Sequence, residues 1–426
     1  MNTFSYLKDF ISESKTAYHA VRYIRSELLK AGYVELSEGD AAAFRTEGKY
    51  FVTRNSSSII AFRCSDVKDS FMITASHSDT PTFRVKTLRN KAGVTQATVE
   101  KYGGAIHHSW LDRPLSIAGR VTLRTEGGIS IRYFDIDRDI FVIPSVAIHQ
   151  MRQVNDGVKL QPADDMVPML SLEGNVSSLE ELVASELSVD ACDVISHDLY
   201  LYNRETPRLV GYRSEFVLSP RLDDLECTFA AMKAFLSSEE KSTTVPVFAV
   251  FDNEEVGSET KQGAASTFLY DTLLKIAGNT DEYFRLTSQS FMASIDNAHA
   301  VHPNHPELSD PTVAPKLGGG IVVKYNSNQR YATDSVSAAV FKSICDRAGA
   351  KYQSFYSHPN FLCGSTLGSI SNTKVSIMTA DIGLAQLAMH SSTETAHVGD
   401  VDDLVLALTL LFKTSLKISG DNVNLL

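Results

Sequence analysis

The feature that most constrains this chain is a junction. Residues 245–251 (Val-Pro-Val-Phe-Ala-Val-Phe) form a short, largely apolar run, and Asp252-Asn253-Glu254-Glu255-Val256-Gly257-Ser258 follows with no linker. A run without polar alternation is expected of a central strand covered on both faces, as in a sheet packed between layers of helices. Pro246, near its start, suits the first residues of such a strand. Three acids at a strand's end repel one another unless something positive sits among them. Adjacent glutamates can then divide labour, one binding a cation while its neighbour takes a proton from water. A solvated acidic turn is the alternative reading.

The rest of the chain repeats the helix–strand alternation at both ends. Phe4, Leu7 and Ile11 share one helical face. After a polar break over residues 12–16, Ala20, Val21, Ile24, Leu28 and Leu29 share another, with Ser14 or Thr16 available as a cap. Strands are expected over 58–63 and 71–75, and helices over 225–236, 336–348 and 401–416. Between residues 84 and 214 the character changes. Short β-like runs at 121–125, 129–133 and 140–143 are separated by Gly, Asp and Pro, and a Glu-rich helical segment follows at 178–187. The expectation is an α/β fold, residues 1–85 and 215–426, interrupted by a smaller β-rich domain over 86–214. Functional groups are expected at the carboxyl ends of the strands.

Length and composition agree. With 426 residues, 43% hydrophobic and 21% charged, the chain can bury a sizeable core and form two domains. A net charge of −11, with no polybasic patch, disfavours a phosphate backbone, so nucleic acid is not expected as a partner. The five cysteines (Cys64, Cys192, Cys227, Cys345, Cys363) form no C-x-x-C pair and are odd in number, as expected of reduced thiols. No basic start leads into an apolar core, and no stretch approaches membrane-span length; the expected location is the cytoplasm, away from membranes.

Four further clusters follow or flank apolar runs. In His77-Ser78-Asp79, residues two apart on an extended backbone point to one side, so Asp79 can partner the second ring nitrogen of a metal-binding His77. Alone, the triplet also reads as a capped loop histidine. Arg221-Leu222-Asp223-Asp224-Leu225 puts two acids before an apolar helix, either as an N-cap or as a carboxylate bridging two cations. Ser294-Ile295-Asp296-Asn297-Ala298-His299 offers Asp296 as a ligand. Its histidines and the nearby His302 and His305 are given no metal role, because Pro303 and Pro306 prevent a helix from aligning the rings. Met389-His390-Ser391-Ser392-Thr393-Glu394 offers His390 after the apolar-rich run 382–388. Imidazole with carboxylate suits zinc, and also manganese or cobalt. A pair of cations needs a shared carboxylate with terminal ligands on each side, and this inventory can supply them.

The blocks HSDTPTFRVK (77–86), RLDDL, DNEEVGS, SIDNAHAVHPN, KYNSNQRYATD and MHSSTE, in this order, resemble the aspartyl aminopeptidase (M18) family of metallopeptidases essentially end to end. The resemblance implies a three-layer α/β, zinc-exopeptidase-like catalytic domain with an inserted oligomerisation or lid domain, and two zinc ions per subunit. It implies His77 and Asp296 as terminal ligands, Asp223 as the bridging carboxylate, and Glu255 and His390 as the remaining ligands. Glu254 is implied as the general base and Asp79 as the residue orienting His77. His149 is implied to reach a neighbouring subunit's active site, and Lys324 and Tyr331 to lie by the substrate pocket. A homo-oligomer, usually a tetrahedral dodecamer, acting on peptides with a free N-terminus completes the expectation. The chain departs from the family pattern at Asp224, where Asn is common, at Pro114, where an acid is common, and over Gly103–His108, where a Gly-rich aromatic run is common. Rival readings are a dinuclear deacylase or carboxypeptidase, with Lys324 and Arg330 clamping a substrate carboxylate, and a non-catalytic scaffold.

Overall fold

A computed structural model describes residues 3–40, 42–239 and 243–426. The chain divides into two compact units, Met1–Asp79 with Pro207–Met389 and Glu394–Leu426, and Thr80–Thr206 with His390–Thr393.

The first unit opens with helices α1 (Thr3–Glu13) and α2 (Ala17–Lys30), then strands β1 (Val34–Glu35), β2 (Gly48–Arg54), β3 (Ser58–Cys64) and β4 (Ser70–His77). The expected helix faces are buried, except that Phe4 is only partly so and Leu29 is 43% exposed, one step off the stripe formed by Val21, Ile24 and Leu28. Thr16 occupies the N-cap of α2 without a side-chain capping bond; its hydroxyl meets His19 Nδ1 at 2.9 Å.

The second unit contains β5 (Thr82–Lys91), β6 (Val94–Tyr102), β7 (Leu115–Thr125), β8 (Gly128–Asp135), β9 (Met169–Leu172), helix α3 (Leu179–Leu187) and β10 (Val194–Asn203). Its six strands form one sheet in the order β8-β7-β10-β5-β6-β9, antiparallel throughout. Ser178 caps α3 by accepting from the Glu181 N–H, and α3 buries Leu179, Val183 and Ala184 in the core of this unit. The run 140–143 is not a strand: Phe141 and Val142 make only isolated bridges, to Leu115 and Met169.

The chain then returns to the first unit with β11 (Arg208–Val210), β12 (Phe216–Ser219), α4 (Leu222–Ser237), β13 (Thr244–Phe251), α5 (Phe268–Ala277), α6 (Thr280–Thr287), β14 (Phe291–Ile295) and β15 (Ala298–His299). It ends with β16 (Ile321–Tyr325), α7 (Ser335–Ala348), β17 (Tyr352–Tyr356), α8 (Leu367–Ser371), β18 (Met378–Gly383), β19 (Ala385–Leu387), β20 (Glu394–His397), α9 (Val398–Leu411) and a small hairpin. Helix α9 stops short of residue 416. The chain turns at Phe412 and Lys413, and apolar character runs on because Phe412 and Leu416 stay buried beyond the helix.

Nine strands form the main sheet, β1-β2-β3-β13-β4-β14-β18-β16-β17. At its centre β13, β4, β14 and β18 run parallel. Side chains of β13 alternate between two cores. Phe248 and Val250 join one with α1, α2, α4, α7 and α9, while Val247, Ala249 and Phe251 join the other with α5, α6 and α8. Helices therefore cover both faces, giving the expected three-layer α/β architecture with a β-rich unit inserted after β4. No disulfide forms among the described residues; Cys64, Cys227 and Cys345 are buried as free thiols. No described helix is long and apolar enough to cross a membrane.

Candidate metal centre

Parallel neighbours end on the same side of a sheet, so their carboxyl termini bring distant sequence together. Here the register pairs Phe251 of β13 with His77 of β4, and Ser294 of β14 with Ala75 of β4. The residues just beyond these pairs are the acidic turn 252–255, Ser78-Asp79 and Asp296. Asp223 and Asp224 arrive from the start of α4, where both depart from helical φ/ψ and are joined by a cis peptide bond. Both acids therefore stand just before the regular turns of α4, which run on from Leu225.

At the centre is His77, which is buried. Its Nδ1 lies 3.0 Å from the main-chain carbonyl of Asp79 and 3.5 Å from that residue's carboxylate. A carbonyl only accepts, so Nδ1 carries the hydrogen and Nε2 is turned toward Asp223 Oδ1 at 3.5 Å and Asp296 Oδ1 at 3.7 Å. Asp79 thus holds the ring chiefly through its backbone. Its carboxylate has a second task, accepting the N–H groups of Glu254 at 3.1 Å and Glu255 at 3.2 Å. One residue therefore locks the first motif to the acidic turn. Asp224 accepts the His77 backbone N–H at 3.1 Å on Oδ2. Glycine is required at Gly383, because a Cβ there would stand 1.7 Å from the Asp296 carbonyl. The Asp296 N–H in turn donates to the Ile382 carbonyl at 3.0 Å.

Ligand atoms of His77, Asp223, Asp224 and Asp296 lie within 4.8 Å of one another, as do those of His77, Glu254 and Glu255. Such a concentration of carboxylates needs positive charge. Burial alone would lower the His77 pKa, but Asp223, Asp224, Asp296 and Asp79 outweigh it and hold the imidazole well above its ordinary range. The carboxyl of Glu255 is pushed up by burial and by Asp223. Asp224 is pushed up by burial, against His77 and with Asp296 and Asp223. Glu254 rises to about 8, first through burial, then through Asp296, Asp79 and Asp223 against the opposing His77. A divalent cation would compete with protons for these groups, and imidazole with several buried carboxylates is a donor set that fits zinc.

Beside the cluster, buried Lys324 places its Nζ 3.4 Å from Asp296 Oδ2 and 5.4 Å from the centre of the Tyr331 ring. Burial would lower its pKa, but Asp296 and Asp381 prevail and keep it raised. Asp223 also donates its N–H to the buried Glu394 carboxylate at 3.1 Å. In the sequence Glu394 only closes the cluster that offers His390, and its part is hidden because an acid opening a strand reads as solvated.

His390 belongs to the segment His390–Thr393, whose packing lies in the second unit. Its carbonyl accepts from the Ile106 N–H at 2.9 Å, and Ser392 N donates to Ser109 Oγ at 2.8 Å. Gly104 is small for a reason: a Cβ there would sit 3.3 Å from His390 Nδ1. His149, also in the second unit, is exposed, as are its neighbours over 144–150. His299, His302 and His305 are exposed or nearly so, and none joins a group of described residues able to hold an ion. His302 Nδ1 accepts from Asn304 N, and His305 meets Glu307 at 3.1 Å.

Comparison with known proteins follows the same outline. The sequence profile of the "Aminopeptidase I zinc metalloprotease (M18)" family matches residues 10–412. The chain is 41% identical over 410 residues to a probable M18 family aminopeptidase 2 of Clostridium novyi, covering 92% of this chain and 94% of that protein. A protein of the same description from Pseudomonas aeruginosa is 38% identical over 420 residues, covering 96% and 97%. Among solved structures, a chain of the Ape4–Nbr1 complex superposes with a TM-score of 0.93 at 34% identity, over 96% of this chain and 85% of that one. The Saccharomyces cerevisiae mApe1 dodecamer gives 0.84 at 26% identity, over 97% and 96%.

Proposed function

The chain belongs to the aminopeptidase I zinc metalloprotease (M18) family and is a metallo-aminopeptidase; from that premise we propose that the cluster around His77 holds two zinc ions and releases the N-terminal residue of peptides. The observation that carries this reading is the convergence of Asp223 and Asp296 on the Nε2 of one buried imidazole, with Glu254 and Glu255 anchored beside it by Asp79. Asp223 is the proposed bridge, its Oδ1 standing 3.5 Å from the imidazole Nε2 while Asp224 accepts the His77 backbone N–H. His77 and Asp296 are the proposed terminal ligands on one side, and Glu255 and His390 those on the other. Manganese or cobalt can substitute in such a donor set.

When bound, the zinc pair supplies Lewis acidity, polarising the scissile carbonyl and making water acidic enough to attack near neutral pH. The protein's own work is to move the proton. Glu254 accepts it from the attacking water and delivers it to the leaving amine. Glu254, raised to about 8 by burial and the neighbouring carboxylates, would lose its proton more readily beside bound cations and so stand as the free carboxylate that a base requires. Asp79 fixes the backbone of Glu254 and the ring of His77 together, so that base and ligand keep their relation. Lys324 and Tyr331 are the proposed substrate-pocket residues. The commitment of Lys324 to Asp296 counts against its serving as a carboxylate clamp, and hence against a carboxypeptidase.

The proposed assembly is a homo-oligomer in the cytoplasm, a tetrahedral dodecamer in which residues 86–214 serve assembly or act as a lid. The exposed His149, set in an exposed segment, is then free to reach a neighbouring copy's site and to bind the developing oxyanion or the substrate backbone.

A panel of aminoacyl-naphthylamides assayed with added zinc, manganese and cobalt tests the reading, together with the metal content of His77→Ala, His390→Ala and His302→Ala. Hydrolysis of free-amino substrates is expected, with metal lost from the first two variants only. Activity confined to N-acylated or C-terminal substrates, or metal lost only from His302→Ala, would overturn it.

A further inference from the structure

Helix α4 carries, after Asp223 and Asp224, a third acid to which the metal-site reading gives no part. Glu226 lies three residues after Asp223 and is wholly buried. A buried carboxyl is costly unless partnered, and Glu226 also lies near the buried acids Glu394, Asp400 and Asp223. Its Oε1 accepts a hydrogen bond from Asn297 Nδ2, whereas Oε2 has no hydrogen-bond partner among the described residues. Asn297 is 3% exposed and its amide is shared between elements: Nδ2 also reaches the Leu384 carbonyl at 3.3 Å, and Oδ1 receives the Cys227 thiol at 3.5 Å. Asn297 directly follows Asp296. Two consecutive side chains of α4, Glu226 and Cys227, therefore grip the residue next to one proposed ligand, on the helix that begins with another.

Adhesion alone does not explain this arrangement. Apolar groups of the same shape could join helix and loop at equal or lower cost. A directional bond adds fixed geometry. Asp223 and Asp296 face the same imidazole nitrogen at 3.5 and 3.7 Å, and nothing in the connectivity of α4 and β14 ties them to one another. A dinuclear site tolerates little error in that spacing, because ligand atoms must meet bond lengths of about 2.0–2.2 Å.

We propose that Glu226 is a positioning residue: acting through Asn297, it ties the loop carrying Asp296 to the helix carrying Asp223 and so sets the spacing of the two carboxylates. The inference rests on the metal-site reading and adds to it a residue that touches no metal.

Zinc affinity of the full-length enzyme, measured by chelator competition, provides the test, alongside kcat, KM and the Tm of the metal-free form. Glu226→Ala and Asn297→Ala are each expected to weaken zinc binding about 10- to 100-fold, the usual effect of removing a partner that orients a ligand. The double variant should be no weaker than the worse single one, since both break the same link. Glu226→Gln, whose amide oxygen can still accept from Asn297, should restore affinity to near that of the unaltered enzyme. Asp296→Ala runs in parallel. If it keeps its full zinc, the metal-site reading itself fails. If it loses zinc while Glu226→Ala and Asn297→Ala bind zinc normally at a lowered Tm, Glu226 is merely structural and the present inference alone fails. Independent, additive losses would also overturn it. Should Glu226→Ala not fold, Glu226→Gln and Asn297→Ala decide between the same outcomes.

Discussion

The main sheet of the first unit and the six-stranded sheet of the second are built on opposite terms. Every residue of β13 is buried, with side chains shared between two cores. On β8, only Phe134 is buried, and Ile129 and Ile131 stand 66% and 54% exposed at the sheet's edge. The first kind of strand has apolar residues on both faces and is conspicuous in a sequence. The second has one covered face at most and scatters its apolar residues where packing in a single chain does not demand them. The difference is also functional. Parallel central strands deliver chemistry to one end of the sheet, whereas the antiparallel unit offers surface, including the exposed segment with His149.

Four outcomes would break or sharpen this contrast. The largest is at the end of β13: Glu254→Gln should keep the fold and bind metal yet lose turnover by about 100- to 10,000-fold, the range for a general base. Near-normal kcat in a metal-loaded variant would remove Glu254 from that role. Next comes the strand itself. Phe248 is buried and stacks on Phe235 with ring centres 5.8 Å apart, so Phe248→Ala should cost about 3–5 kcal/mol in denaturant unfolding. A loss below about 1 kcal/mol would mean that this core relaxes far more than its packing implies. A smaller, partial effect is expected from mixing inactive Glu254→Gln subunits with inactive His149→Ala subunits after dissociation. If the two residues serve sites on different chains, some activity returns; verified mixed oligomers without activity would assign His149 to its own chain or to no site. The smallest effect is at the edge of the second unit. Ile131→Thr should change the stability of a dissociated subunit by no more than about 0.5 kcal/mol, as at most surface sites. A larger loss confined to the assembled form would show that a neighbouring copy covers β8.

Legibility in the sequence followed burial. The apolar run of β13 and the periodic stripes of α1 and α2 stand out because their partners lie on predictable faces. Helix α9 ends earlier than expected because buried Phe412 and Leu416 prolong the apolar pattern through a turn. Residues 140–143 look like a strand in composition, yet the local pairing is limited to two bridges. At the candidate site, His77, Glu254, Glu255 and Asp296 are visible as polar groups ending apolar runs and Asp223 as an acid preceding one, and the structure brings them together around His77. The backbone role of Asp79 was not visible, since no side-chain pattern reports a carbonyl. Glu226 and Glu394 escaped notice for a related reason. An acid in a helix or opening a strand usually faces water, and only the three-dimensional packing reveals that these two do not.

The pairing of Phe251 with His77 has a further consequence, for the order in which the molecule is made. Groups from positions 77, 223, 254 and 296 meet only after strands far apart in the chain have paired, and long-range pairing pays its loop-closure entropy before any contact repays it. No partly folded chain with β4 alone, or β13 alone, possesses the site. High-affinity metal uptake should therefore come after sheet assembly rather than guide it, and the bound ion would then stabilise only the completed fold. In a refolding experiment, the metal would report that the last central strand has docked.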